Sequence, residues 1–267
     1  AHGAAVLFDV AAFTFLILLG IRIRPGPEGQ RLAATLAFGW AAYPYTAYAL
    51  ESNTNDTLVA VLLVATLVLT ARPLARGAML AAATWAKFAA APLAPMYLTY
   101  RPGPSSAEGV RARPRAQDTL GRPTVLFIFG FLLVSVVVMT WPAIDPGLKT
   151  FYDRTIATQA GRSSPFSIWG QAPSLEPLRI ALLAATGVLT VALAFVPKRK
   201  SLVQLAALSA ALLIALQLTL HHWFYLYIVW WFPLLLVAMA ALDSPRPRPP
   251  PQPAPAPART SQPAPAG

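Results

Sequence analysis

The chain is 267 residues long, 56% hydrophobic and 12% charged, with a mean hydropathy of +0.55 and a net charge of +11. Soluble domains carry about 25% charged residues, so one large soluble core is excluded and a polytopic membrane protein is indicated. Without cysteine there is no disulfide framework and no thiolate metal site. The basic excess, lacking a stripe of alternating cations and stacking aromatics, points to cytoplasmic loops rather than to a nucleic-acid partner.

In chain order, apolar segments of spanning length fall at about 4–20, 32–50, 57–71, 124–142, 178–197, 202–220 and 222–242. A membrane helix needs ~20 residues and a membrane strand only ~10, so these are expected to be helices. The chain opens on Ala1 and enters an apolar span at once, so it reads as the C-terminal portion of a longer protein with no signal peptide ahead of that span.

The segment 77–100, "GAMLAAATWAKFAAAPLAPMYLTY", is long enough for one crossing, yet carries Lys87 near its middle and prolines at 92 and 95. If it crosses once, the loops divide with eight basic residues inside and eleven outside. If it enters and leaves on one side, sixteen lie inside and only Lys149, Arg154 and Arg162 outside. The positive-inside rule selects the second arrangement, which also keeps a lone lysine off a single lipid-facing helix, where it would cost roughly 3 kcal/mol. The expected fold is therefore all-α transmembrane, with about seven spanning helices plus one re-entrant helical hairpin from the cytoplasmic side. Residues 1–243 form the polytopic domain, with its N-terminus external and an external loop at 143–177. Residues 244–267, with ten prolines, form a disordered Pro/Ala-rich cytoplasmic tail.

Three external patches carry chemistry. "ESNTND", Glu51 to Asp56, supplies turn residues and helix N-caps, while its amides and carboxylates also suit sugar hydroxyls or a lipid phosphate. "FYDRTIATQAGRSSPFSIWG", from Phe151 to Gly170, follows Lys149; Leu148, Tyr152 and Ile156 recur at helical spacing, as in an amphipathic helix on the outer interface ended by Gly161. Its aromatics, including Trp169, fit an interfacial belt. Arg154 and Arg162 have only Asp153 nearby in sequence to pair with, and the guanidinium fork suits phosphate. "HHWFYLYIVWWFP" places His221, His222 and Tyr225 at the external start of the last span; no third ligand at proper spacing makes a metal site of the histidines, which read as interfacial or capping residues, acid–base groups or phosphate contacts. Asp9, inside the first span, reads either as a helix–helix hydrogen bond or as an intramembrane functional acid.

Taken in order, "LFDVAAFTFLILLGIRIRPG", "AFGWAAYPYTAYALESNTNDTLVA", "WAKFAAAPLAPMYL", "FYDRTIATQAGRSSPFSIWG" and "HHWFYLYIVWWFPLLL" resemble the GT-C superfamily of membrane glycosyltransferases, most of all glycosyltransferase family 87 of actinobacteria. The resemblance covers nearly everything up to Leu242. It implies a multi-pass protein of the bacterial plasma membrane that transfers a sugar, a hexose such as mannose, from a polyprenyl-phosphate donor to a lipid or cell-wall acceptor on the outer face, with membrane lipids around it and no cofactor beyond the lipid-linked donor. The family's catalytic carboxylate belongs in the first external loop, just after the first transmembrane helix. This chain begins beyond that loop, so Asp56 is the external carboxylate left for catalysis. Arg154, Arg162, Lys149, His221 and His222 are the expected donor-phosphate ligands, and Glu51, Asn53, Asn55, Trp169 and Tyr225 the expected sugar or acceptor contacts. A lipid or solute transporter or flippase, and a non-catalytic membrane scaffold subunit, are the alternatives.

Overall fold

A computed structural model describes residues 2–103, 121–158, 162 and 164–242. The Gly161 cap, the arginines at 111, 113 and 115 and the proline-rich tail lie outside the described residues. The described residues are mostly helical, joined by turns and short loops, with one isolated bridge between Pro102 and Lys200. Its helices are α1 (His2–Ile23), α2 (Gly26–Ala41), α3 (Pro44–Glu51), α4 (Asp56–Val68), α5 (Pro73–Ala86) and α6 (Ala94–Leu98) in the first half. The second half holds α7 (Gly121–Ile144), α8 (Leu148–Tyr152), α9 (Ile168–Gln171), α10 (Glu176–Phe195), α11 (Leu202–Gln217) and α12 (Ile228–Leu242). Among the described residues, four helical stretches are long and apolar enough to cross a membrane: His2–Ile23, Gly121–Ile144, Pro173–Phe195 and Tyr225–Leu242. Asp56–Val68, Phe88–Leu98 and Leu202–Gln217 are apolar but shorter.

Proline and polar caps set the boundaries. Pro27, Pro44, Pro73, Pro95 and Pro177 sit in the first turns of α2, α3, α5, α6 and α10, where a missing N–H costs nothing. Ser201 and Gln204 form a reciprocal capping box at the start of α11. The segment expected as one span over 32–50 is instead divided: α2 stops at Ala41 and Tyr43 is extended, because Pro44 disfavours a helical conformation in the residue before it. The expected interfacial helix begins as α8 and continues as a π turn over Asp153–Ala157.

Two ends of the bundle can be told apart by side chain. At one end Arg22 donates to the carbonyl of Val68, and Arg24 donates to that of Ala241 at 2.6 Å. Arg76 donates to the Thr70 carbonyl at 2.6 Å and lies 5.3 Å from the centre of the Tyr100 ring. The backbone of Arg101 and Gly103 pairs with Lys200. The last turns of α1, α4 and α12 therefore meet the start of α5 and the loop ahead of α11 at one basic face. The opposite end gathers Asp56, Glu51, Lys149, Asp153, Arg154, Glu176 and the paired histidines.

The inner helix is α4, on which Val59, Ala60, Leu63, Val64, Ala65 and Leu67 are all buried. A helix apolar and covered on every side is a core helix. By contrast α7 exposes Val125, Phe129, Leu132, Val136, Val137 and Trp141, as a face turned to lipid does. Glycines let the helices approach closely: a Cβ on Gly77 would stand 2.1 Å from the Phe127 carbonyl oxygen, and one on Gly130 would stand 2.1 Å from that of Leu74. Trp85 donates to the Ser135 hydroxyl at 2.8 Å further along the same pair, so α5 and α7 run in the same direction. Between α1 and α2, Trp40 donates to the Asp9 carboxylate at 2.9 Å, which makes Asp9 a helix–helix tie.

Gly77→Ala and Gly130→Ala are expected to destabilise the bundle by about 1–3 kcal/mol each, the usual cost of overpacking, and to lower the melting temperature in detergent. Gly187→Ala, where a Cβ meets nothing within 4 Å, should leave melting unchanged or slightly raised.

Candidate functional site

Asp56 opens α4, yet its carboxylate is not spent on capping its own helix. It is 3% exposed, and its Oδ1 accepts a hydrogen bond from the Trp230 indole at 2.8 Å. The Lys87 ammonium stands 3.5 Å from the same oxygen and 5.7 Å from the centre of the Trp230 ring. Among the described residues neither contact falls on Oδ2. Three separate pieces of chain thus meet on one carboxylate: the start of α4, the end of α5 and the start of α12. Tyr227 stacks on Trp230 at 4.3 Å, and His222 meets Tyr227 edge-on at 6.2 Å. The Tyr227 hydroxyl is within electrostatic range of both Asp56 and Arg162.

Lys87 owes its position to a break in the helix. Its backbone is extended, between α5 and a 3-10 turn over Phe88–Leu93, as expected for a chain that carries Pro92 and Pro95 just ahead. From Lys87 the chain returns through α6 until Tyr100 lies beside Arg76. Both ends of the 73–100 segment therefore share the basic face, and Lys87 lies at the far point beside Asp56.

The depth of this point follows from helix lengths. α1 has 22 residues and α4 has 13, or about 33 and about 20 Å at 1.5 Å per residue. They pack side by side and end together where Arg22 meets Val68. Asp56 consequently lies roughly 13 Å short of the level at which α1 begins.

The other candidates divide into two groups. Glu51, Asn53 and Asn55 are exposed on the turn between α3 and α4; Asn53 has a φ of 53°, and Asn55 stands at the N-cap without a side-chain capping bond. They are surface turn residues. Asp153 pairs with Lys149 at 2.8 Å rather than with an arginine, and Arg154 and Arg162 are exposed. His221 is bound to Glu176 at 2.7 Å, and Glu176 also holds Arg179 through two contacts at 2.6 and 2.8 Å. Arg179 reaches on to the Thr219 carbonyl, so this network fastens the start of α10 to the 219–221 turn.

The loop that carries the arginines is fixed at its far end. Trp169 is 8% exposed and donates to the Leu218 carbonyl at 2.8 Å, while Ser167 and Ser164 donate to the carbonyls of Leu220 and Trp223. Tyr225 lies among Tyr45, Phe166, Trp223 and Phe224. The structure thus brings Asp56, Arg162, His222 and the 164–171 segment to one aromatic end, and leaves Glu51, Asn53 and Asn55 on an open turn. Lys87, Trp230 and Glu176 were missed as site residues. An intramembrane lysine demands a partner, and that demand was the signal for Lys87. Among the described residues no three His, Asp or Glu side chains cluster to hold a metal ion.

No protein-family model, curated protein or solved structure matches this chain.

Asp56→Ala should remove the acceptor of both Trp230 and Lys87 and destabilise the protein by about 3–5 kcal/mol, the cost of breaking a buried pair from one side. Asp56→Asn keeps an acceptor for the indole and should be milder. Yield of monodisperse protein in detergent and its melting temperature measure the difference.

Proposed function

We propose that the chain is, or belongs to, a polytopic membrane glycosyltransferase that moves a hexose such as mannose from a polyprenyl-phosphate donor to a lipid or cell-wall acceptor at the outer face of a bacterial plasma membrane. The polar end faces out and the basic face lies in the cytoplasm, with seven crossings and the 77–100 segment re-entrant from the cytoplasmic side. The supporting observation is the Asp56 carboxylate: buried, aimed by Trp230, and with no contact on Oδ2 among the described residues.

In this scheme Asp56 takes the proton of the acceptor hydroxyl as that oxygen bonds to the anomeric carbon. The bond from that carbon to the phosphate oxygen breaks, and polyprenyl phosphate departs with the electron pair. Arg162, Arg154 and Lys149 face the growing negative charge, with His222 beside them. Tyr225 and Trp169 belong to the aromatic wall at the same end. Asp56→Asn in the full-length enzyme should lower transfer by about 10²–10⁴-fold, the usual contribution of a general base. Arg162→Lys keeps the charge but loses the fork, and should lower transfer by roughly ten- to hundred-fold. Wild-type turnover in Asp56→Asn would defeat the assignment of the base.

One observation favours a second reading, a transporter: a helix interrupted at an ionisable residue that faces an acid is how many transporters build a substrate site. Reconstituted vesicles separate the two, since solute uptake without glycosylated product would replace the transferase. Sidedness has its own test. Leu74→Cys and Arg101→Cys should both react with an impermeant thiol reagent only from the cytoplasm, and labelling of position 101 from outside would overturn the re-entrant arrangement.

A further inference from the structure

We propose that Arg101 and Arg199 form a clamp for the phosphate of an anionic phospholipid, held just beyond the end of α10 by a backbone bridge. The clamp lies at the basic end of the bundle, away from Asp56, and does not depend on whether the chain transfers a sugar.

Two pieces of chain remote in sequence make it. The Lys200 amide donates to the Arg101 carbonyl at 3.0 Å, and the Gly103 amide donates to the Lys200 carbonyl at 3.0 Å. These bonds form the parallel bridge between Pro102 and Lys200. Side chains alternate across an extended pair, whose two chains stand about 4.8 Å apart. Lys200 turns inward, fully buried, and its Nζ donates to the Pro197 carbonyl at 2.7 Å. Arg101 and Arg199 come one residue before the bridge on either chain, and both are exposed. They are therefore neighbours on its outer side. Thr99 donates to the Ala194 carbonyl, a second tie between the chain ahead of Arg101 and the end of α10.

Nothing described at this end neutralises the pair. Among the described residues the ion pairs engage Arg31, Lys87, Lys149, Arg179 and His221, and neither of these two arginines. Of the described acids, Glu28 alone lies at this end, 3.7 Å from Arg31. Lys198 adds a third exposed cation beside Arg199. The connection at 104–120, outside the described residues, carries three arginines against two acids, so its composition adds positive charge. Like charges held side by side repel, and an anion between them removes the repulsion. Two guanidinium forks match the oxygens of a phosphate.

The neighbouring surface selects a lipid over a soluble anion. α10 closes the apolar stretch Pro173–Phe195, long enough to cross a membrane, so the residues just after it fall at head-group depth. Val188, Val191 and Phe195 recur at i, i+3 and i+7 and are all exposed, an apolar strip along the last turns. Arg199 follows Phe195 by four residues, so at most ~14 Å of chain separates the strip from the cations. A phospholipid has a part for each, its acyl chain for the strip and its phosphate for the arginines. A soluble anion would use only the second.

The test uses the full chain in dodecyl maltoside micelles, titrated with phosphatidylglycerol or with phosphatidylcholine of the same acyl chains, and native mass spectrometry counts the lipids retained. Wild type is expected to retain phosphatidylglycerol in preference to phosphatidylcholine. Arg101→Gln and Arg199→Gln should each weaken that retention roughly ten-fold or more, the effect of deleting a hydrogen bond to a charged group. Both variants should insert and melt as wild type does, because the bridge uses main-chain atoms alone. Arg31→Gln removes an exposed cation from α2 and should leave retention unchanged. Equal loss in Arg31→Gln would make the effect one of diffuse charge and overturn the clamp. So would equal retention of the two lipids by wild type, or undiminished retention in Arg101→Gln and Arg199→Gln. Complete displacement of phosphatidylglycerol by millimolar inorganic phosphate would overturn the lipid as occupant and leave a site for soluble anions. Sugar transfer enters none of these readouts, so failure here leaves the transferase reading where it stood.

Discussion

The carboxylate of Asp56 is the point on which the bundle's polar half depends. In an apolar interior, an isolated charge is costly, and removing one partner of a buried pair is worse than never having had it. Asp56 is reached by an indole N–H from the start of α12 and an ammonium from the break after α5. Each of those elements is thereby held at a set height along α4. Trp230 and Lys87 are in turn tied to what lies beside them, Tyr227 through ring stacking and Trp230 itself through the cation above its face. One interaction thus fixes the register of three chain segments that are distant in sequence.

The opposite face solves a different problem with a different residue. Helix C-termini leave carbonyls without intrahelical donors. Arg22, Arg24 and Arg76 reach such groups at Val68, Ala241 and Thr70. The guanidinium fork serves here as a capping group, and its charge favourably meets the negative end of each helix dipole. The same residues that make this end of the bundle basic also close the ends of α4 and α12. Local charge and helix termination are therefore supplied by the same side chains.

Much of the architecture could be read from the sequence, since helices rather than strands follow from run length, and the break at Lys87 from a lysine and two prolines in one apolar segment. Charge counting led to a re-entrant segment; the observed chain turns at Lys87 and brings Tyr100 back beside Arg76, a contact within the bundle. The division of the 32–50 segment at Tyr43 was visible in Pro44 but was outweighed by the length of the apolar run. Side-chain partnerships were less legible. Asp56 was read as an N-cap, a ligand contact or the external carboxylate left for catalysis, because capping is a local signal, whereas its partners Trp230 and Lys87 are supplied by packing. Likewise His221 read as an interfacial, capping, acid–base or phosphate-contact residue, whereas it is bound to Glu176, which also holds Arg179.

The shortness of α4 has a consequence for the surrounding bilayer. Its 13 residues span about 20 Å against a hydrocarbon layer of about 30 Å. Because α4 is enclosed by longer helices, the mismatch falls inside the protein instead of on annular lipid. Asp56 therefore starts roughly 13 Å below the level at which α1 begins, beside the aromatic start of α12. A polar group is thus carried to mid-bundle depth by the shortness of one enclosed helix and not by a break within it.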